Sequence, residues 1–364
     1  GIALQILGGQ PQIPFLTLLL AGLLALAMGW ENKKQGKGSV IEFIQAPVVL
    51  ITAALVATIL TAVYWLPFYE FNQLSAIRGS GTSFEYATKD SLPAKNLFML
   101  LMPFLFGDPT TAGQFWGSTT GYHELIGFLG LGTLAAALVA IVSRRFPRQA
   151  FWSIAALVML VLALGGQTPL YRLLYWFVPG VQYFRVPARF LLPFSLCLCV
   201  LAGHGMKALR WDLRKDPQLW IKAAGVLTSL LALCLIGYFI SRETLNVRLQ
   251  QALQSKGIIP EPDSRCPGTA LMIALGTLGL WAVWIAASKR FELRWIWFLP
   301  LILIGAETYW FAHRFVKPEQ AEQILQREYP RTDSIRFLQE QQGVFRVLLP
   351  DLTMGWYYRK EYPE

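Results

Sequence analysis

Ile13 to Trp30 reads IPFLTLLLAGLLALAMGW, a run without a charged residue. A helix crosses a hydrocarbon core of about 30 Å with roughly 20 apolar residues, so this run predicts a membrane span. The same reading applies to 46–66, 122–142, 150–166, 190–209, 219–240, 269–287 and 295–312. Eight spans of this kind predict an all-α polytopic membrane protein. Composition agrees. The chain has 364 residues, 54% hydrophobic and 15% charged, where a soluble domain carries about 25% charged residues. Its mean hydropathy is +0.43. These values exclude a soluble globular enzyme, a disordered chain and a disulfide-rich secreted scaffold.

Working outward, Gly1 to Leu7 reads as a partial further helix, the tail of one that starts earlier, and the chain as an internal piece of a longer protein. Residues 97–106, LFMLLMPFLF, are too few to cross and contain Pro103, so they predict a re-entrant or interfacial segment. Residues 1–312 therefore form a transmembrane domain. From 313 to 364 the character changes: 318–342 is charged and helix-like, and 344–349 is strand-like. This tail reads as the start of an extracytoplasmic soluble domain.

The formal net charge is +10. The basic residues gather in short loops: Lys33, Lys34 and Lys37; Arg144, Arg145 and Arg148; Lys207, Arg210, Arg214 and Lys215; Lys289, Arg290 and Arg294. With alternating spans all four groups fall on one side, and the positive-inside rule makes that side cytoplasmic. The charge is a topology signal, so the expected partner is the lipid bilayer and not nucleic acid. The expected location is the plasma (inner) membrane, multi-pass. Loops 67–121, 167–189 and 241–268 and the tail then lie on the outer side. Cys197, Cys199 and Cys234 sit in apolar runs and Cys266 in a polar loop. No Cys or His spacing of the zinc type occurs.

Several residues are of types that carry chemistry. Glu70, Ser75 and Arg78 offer a carboxylate and a guanidinium for sugar hydroxyls and a phosphate; a solvated ion pair at a helix end accounts for them as well. Asp108, His123 and Glu124 are candidates for a catalytic base. Adjacent helical positions face different directions, so His123 and Glu124 are not expected to form one dyad. Glu124 also reads as a carboxylate favoured at a helix start. Arg172, Arg185 and Arg189 surround Pro187, which suits the first turn of the following helix. Guanidiniums beside a helix N-terminus make a ready anion site. Snorkelling to lipid headgroups is the competing reading. Glu307 lies within the last span, which marks it as a functional candidate or as a hydrogen-bonding partner of a neighbouring helix.

These residues form a pattern. GGQPQ at 8–12, LPxxE at 66–70 with Ser75 and Arg78, FRVPARF at 184–190, Glu307 and FRV at 345–347 resemble the YfhO-like bacterial membrane proteins over most of the chain. The chain departs at Gln10, where the family motif has His. That family is similar to the GT-C glycosyltransferases. The resemblance implies a GT-C-like helical bundle with an outward-facing cavity and a sugar moved from a polyprenyl-phosphate donor. The implied acceptor is a cell-envelope glycan, a teichoic-acid-like polymer or a lipid on the outer face. It further implies an acidic base in the first outer loop, which would precede Gly1, and admits a divalent metal as cofactor. Gln10, Gln12, Glu70, Arg78, Arg185 and Arg189 become donor or acceptor contacts by the same resemblance. Two other classes use such residues: a transporter or flippase of lipid-linked glycans, which needs the arginines but no base, and a non-catalytic envelope assembly protein.

Overall fold

The computed structural model describes residues 1–34, 40–73, 82–110, 115–118, 121–144, 146–212, 217–254, 265–290 and 298–315. Ser75, Arg78 and residues 316–364 of the expected soluble domain lie outside the described residues. In chain order the helices are α1 (Ile2–Leu7), α2 (Gln12–Lys34), α3 (Val40–Leu60), α4 (Ala62–Gln73), α5 (Phe84–Thr88), α6 (Tyr122–Leu125), α7 (Leu131–Ser143), α8 (Gln149–Ala163), α9 (Pro169–Phe177), α10 (Leu191–Asp212), α11 (Pro217–Gln254), α12 (Cys266–Arg290) and α13 (Leu299–His313). Among the described residues all regular structure is helical. Gln12–Lys33, Pro187–Arg210, Ile221–Val247 and Cys266–Ser288 are long and apolar enough to cross a membrane. The chain is an all-α membrane protein. Large apolar side chains such as Ile59, Met272 and Val283 are exposed, as a lipid-facing belt requires.

Three predicted spans take a different form. Run 46–66 divides at Thr61 into α3 and α4, bent by 79°. The last carbonyls of α3 lack helical partners. The Ala57 carbonyl still accepts the Thr61 N–H at 3.1 Å, and the Thr58 carbonyl accepts from Trp65 Nε1 at 2.8 Å, so the turn leaves neither unsatisfied. Run 122–142 is interrupted between α6 and α7 by an irregular stretch that ends at Gly130, whose φ of +90° is a conformation glycine adopts readily. Run 219–240 continues as α11 to Gln254, into the stretch expected as an outer loop. Cys266, expected in a polar loop, is buried at the start of α12.

The segment 97–106 does not cross. A 3-10 helix, Ala94–Leu100, leads into the buried stretch 101–107. Phe98 packs over Gly237 of α11, where a Cβ would sit 2.7 Å from its ring. Ser241 Oγ donates to the Leu105 carbonyl at 2.8 Å. In the centre, α10 packs on α7 and α8. A Cβ on Gly205 would fall 1.8 Å from the Ala136 carbonyl oxygen, so glycine sets the α7–α10 approach. Small residues at such contacts are the usual solution where lipid removes the hydrophobic drive between helices.

The bundle has two chemically distinct ends. At one, Arg148 Nε donates to Glu31 Oε2 at 3.0 Å, and Phe146 stacks on His204 with centroids 4.9 Å apart. These contacts bring the end of α2, the α7–α8 turn and the far part of α10 together. At the other end the chain between α4 and α7 packs on the chain between α8 and α10. Thr82 N–H donates to the Gln182 carbonyl at 2.9 Å, and Leu92 N–H to the Ala163 carbonyl at 2.9 Å. The start of α2 joins them through Gln12 Nε2, which donates to the Val186 carbonyl at 3.3 Å.

Candidate functional site

Three segments distant in sequence converge at this second end. The first is the turn from α1 to α2. Gly8 ends α1 and Gly9 takes φ +82°, which a side chain would resist. The turn delivers Gln10 and the buried Gln12. The second is α6, a single turn carrying His123 and Glu124. The third is 183–190, leading into α10. Here Val186 has φ +71°. A β-branched residue in that region costs about 1–3 kcal/mol and persists only where its surroundings enforce it. The Val186 carbonyl accepts from Gln12 and from the Arg189 N–H at 3.2 Å, which accounts for the enforcement.

Arg189 is the centre. Its Nε donates to Glu124 Oε2 at 2.9 Å and its Nη2 to Glu124 Oε1, a bidentate pair. Its Nη1 donates to Gln12 Oε1 at 3.1 Å. With the Gln10 amide oxygen turned inward, that oxygen accepts from Nη1 at 2.9 Å and from Nη2 at 3.1 Å. A guanidinium has five N–H donors, and these contacts engage all five. The Glu124 carboxyl is held below its ordinary range chiefly by the Arg189 hydrogen bonds, against the opposing effect of burial. It stays ionised at neutral pH. His123 is 82% exposed, with Nε2 3.9 Å from Glu124 Oε1, too far for a hydrogen bond. The two do not form a dyad.

Arg185 is held differently. Its Nε pairs with Asp90 Oδ2 at 2.9 Å, its Nη1 donates to Tyr86 Oη at 3.3 Å, and its guanidinium lies over the Tyr86 ring. The side chain is still 40% exposed, against 25% for Arg189.

Two clefts meet at Gln10 and Arg189. One, of about 300 Å³, is lined by Gly9, Phe68, Tyr183, Arg185 and Val186 as well. The other, of about 430 Å³, combines His123, Glu124 and Ser195 with an apolar wall from Ile13, Leu16, Ile126 and Leu192. Comparison of the chain with protein-family models, with curated proteins and with solved structures found no match. The chemistry of the clefts is therefore read from their own residues: an ion pair with amides between them, a second guanidinium on one side, and an apolar wall on the other.

The remaining candidates lie elsewhere. Arg172 sits over the Phe84 ring at 5.2 Å and lines neither cleft. Glu70 is exposed on α4, two residues beyond the cleft-lining Phe68. Asp108 pairs with Arg314 at 2.8 Å and accepts from Thr110 Oγ1 at 2.6 Å. Glu307 on α13 approaches the start of α7, accepting from the Gly132 N–H at 3.3 Å. A Cβ on Gly130 would fall 2.3 Å from Glu307 Oε2, so that approach depends on glycine. Among the described residues no three His, Cys, Asp or Glu side chains come together as a metal-binding group. Asp90, Asp108 and Glu124 are each engaged by an arginine. These residues do not fit a divalent metal. Asp90, Tyr86 and Ser195 were not among the residues the sequence singled out.

Proposed function

We propose that the chain belongs to a membrane glycosyltransferase of GT-C-like architecture. In this reading it uses a polyprenyl-phosphate-linked sugar to modify a cell-envelope glycan or lipid at the outer face of the plasma membrane. The observation that carries this reading is the convergence of Gln10, Gln12, Glu124, Arg185 and Arg189 from three distant segments around adjoining clefts. They lie at the end of the bundle opposite the Glu31–Arg148 contact. Under the positive-inside rule that end faces outward.

The two arginines divide the work. Arg189 has its donors engaged and organises the cleft, holding both glutamines and Glu124 in place. Arg185 has the more exposed side chain and is the contact for a lipid phosphate. In transfer, the bond between the sugar anomeric carbon and the phosphate oxygen breaks, its electron pair goes to that oxygen, and the acceptor hydroxyl oxygen bonds to the anomeric carbon as its proton passes to the released phosphate or to solvent. A guanidinium fixed beside the departing oxygen stabilises the charge that develops there. Neither Glu124, bound by Arg189, nor Asp108, bound by Arg314, is assigned the base.

The test measures transfer of radiolabelled sugar from a polyprenyl-phosphate donor in membranes from cells with and without the intact gene. Transfer lost with the gene, and reduced by Arg185→Lys at unchanged protein level, supports the reading. Equal transfer without the gene contradicts it.

A further inference from the structure

Helix α9 presents an inverted surface. Its nine residues, PLYRLLYWF, place Tyr171 and Tyr175 inward. Tyr175 Oη donates to the Thr82 carbonyl, and Phe84 meets the Tyr175 ring edge-on at 5.3 Å. The outward arc carries Leu173, Trp176 and Phe177, exposed by 55%, 64% and 78%. Arg172 shares this arc, and its guanidinium is drawn back over Phe84. A water-facing surface helix has the opposite arrangement, with its polar residues outward. At 1.5 Å per residue α9 is about 14 Å long, under half of a hydrocarbon core, so it is no span.

We propose that α9 lies in the membrane interface at the cleft end, with Leu173, Trp176 and Phe177 in the boundary between headgroups and acyl chains. The partner is lipid because the exposed face continues the apolar belt of the helices on either side in the chain. Ile154 and Leu157 of α8 are exposed by 62% and 61%, and Leu192 and Leu196 of α10 by 49% and 52%. A large apolar and aromatic face edged by an arginine is the composition of helices that lie along a bilayer surface. The inward tyrosines fix the depth. Tyr175 ties α9 to Thr82, and Thr82 binds Gln182 beside the Arg185 cleft, so the interface sets the level at which that cleft opens.

The test uses the full-length protein in native membranes. Leu173, Trp176 and Phe177 are replaced one at a time by p-benzoylphenylalanine, irradiated, and the adducts read by mass spectrometry. Leu157 is the lipid-facing control, and Glu85, exposed on α5, the water-facing one. The expected result is phospholipid adducts at all three positions, in yields close to that at Leu157 and several-fold above that at Glu85. Yields at the level of Glu85 overturn the proposal. Adducts to a protein, whether a second copy or another chain, overturn it too. The substituted side chains point away from the bundle, so the label does not disturb the packing it reports on.

Discussion

Two arginine–carboxylate pairs lie within the same bundle and differ in what surrounds them. Arg189–Glu124 is wrapped by the amides of Gln10 and Gln12 and opens onto clefts of about 300 and 430 Å³. Arg314–Asp108 is flanked by aromatic rings: the Arg314 guanidinium lies 4.8 Å from the Phe104 centroid and 4.9 Å from that of Trp310. Phe104, Phe311, Phe315 and Tyr122 pack around one another beside it. Both are arginine–carboxylate ion pairs, bidentate in the first and made through Nη1 in the second. Amides and open space make the first a place where a polar ligand finds partners. Rings beneath the guanidinium make the second a clamp on the end of α13.

The comparison is open to breakage by substitution. Glu124→Ala strands Arg189 with two donors unmet and carries the largest expected cost. Removing one partner of a fully buried pair costs about 3–5 kcal/mol. These side chains keep 25% and 19% exposure, so roughly 2 kcal/mol is expected, seen as a lower thermal midpoint in detergent. Arg314→Ala removes an ion pair and two ring contacts, together worth about 1–2 kcal/mol. It is expected to leave ligand binding at the Arg189 clefts unchanged. Loss of binding on that substitution would erase the distinction between site and clamp.

Acid sharpens the comparison further. The folded-state carboxyl of Glu124 titrates below the ordinary 4.5. Its contribution is therefore complete above that value and lost as pH falls through the lowered one. The stability difference between the chain and Glu124→Gln should be flat above pH ~5 and shrink in acid. A difference that grows on acidification would contradict the assignment. The smallest effect on stability belongs to Arg185→Lys. Its partly exposed pair with Asp90 predicts a change within about 0.5 kcal/mol in a denaturation curve.

Much of this was readable in the sequence, and what was not has physical causes. Uninterrupted apolar runs located α2, α8, α10 and α12 to within a few residues, because lipid requires such runs. The bend at Thr61 left no mark in hydropathy, since Trp65 satisfies the freed Thr58 carbonyl locally. The break before α7 falls at Gly130, inside a run that hydropathy reads as one span. Within the site, residue type and the turn at Pro187 singled out Arg185 and Arg189, and their reading as one anion cradle is where the structure differs. Each arginine has its own carboxylate. Glu124 is 65 positions from Arg189, and Tyr86 is 99 from Arg185, distances over which one sequence holds no pairing information. Arg172 was grouped with them by proximity in the chain, yet α9 directs it to Phe84.

The central claim is that the cleft bounded by Arg185, Gln10 and Arg189 receives a lipid phosphate. The most direct measurement is the affinity of the purified full-length protein, reconstituted in bilayers, for a polyprenyl phosphate, compared between the parent and Arg185→Ala. Charge-assisted hydrogen bonds contribute about 1.5–3 kcal/mol. The predicted result is an affinity roughly ten- to a hundredfold weaker in Arg185→Ala, with the thermal midpoint nearly unchanged. Equal affinities in the two proteins would contradict the account.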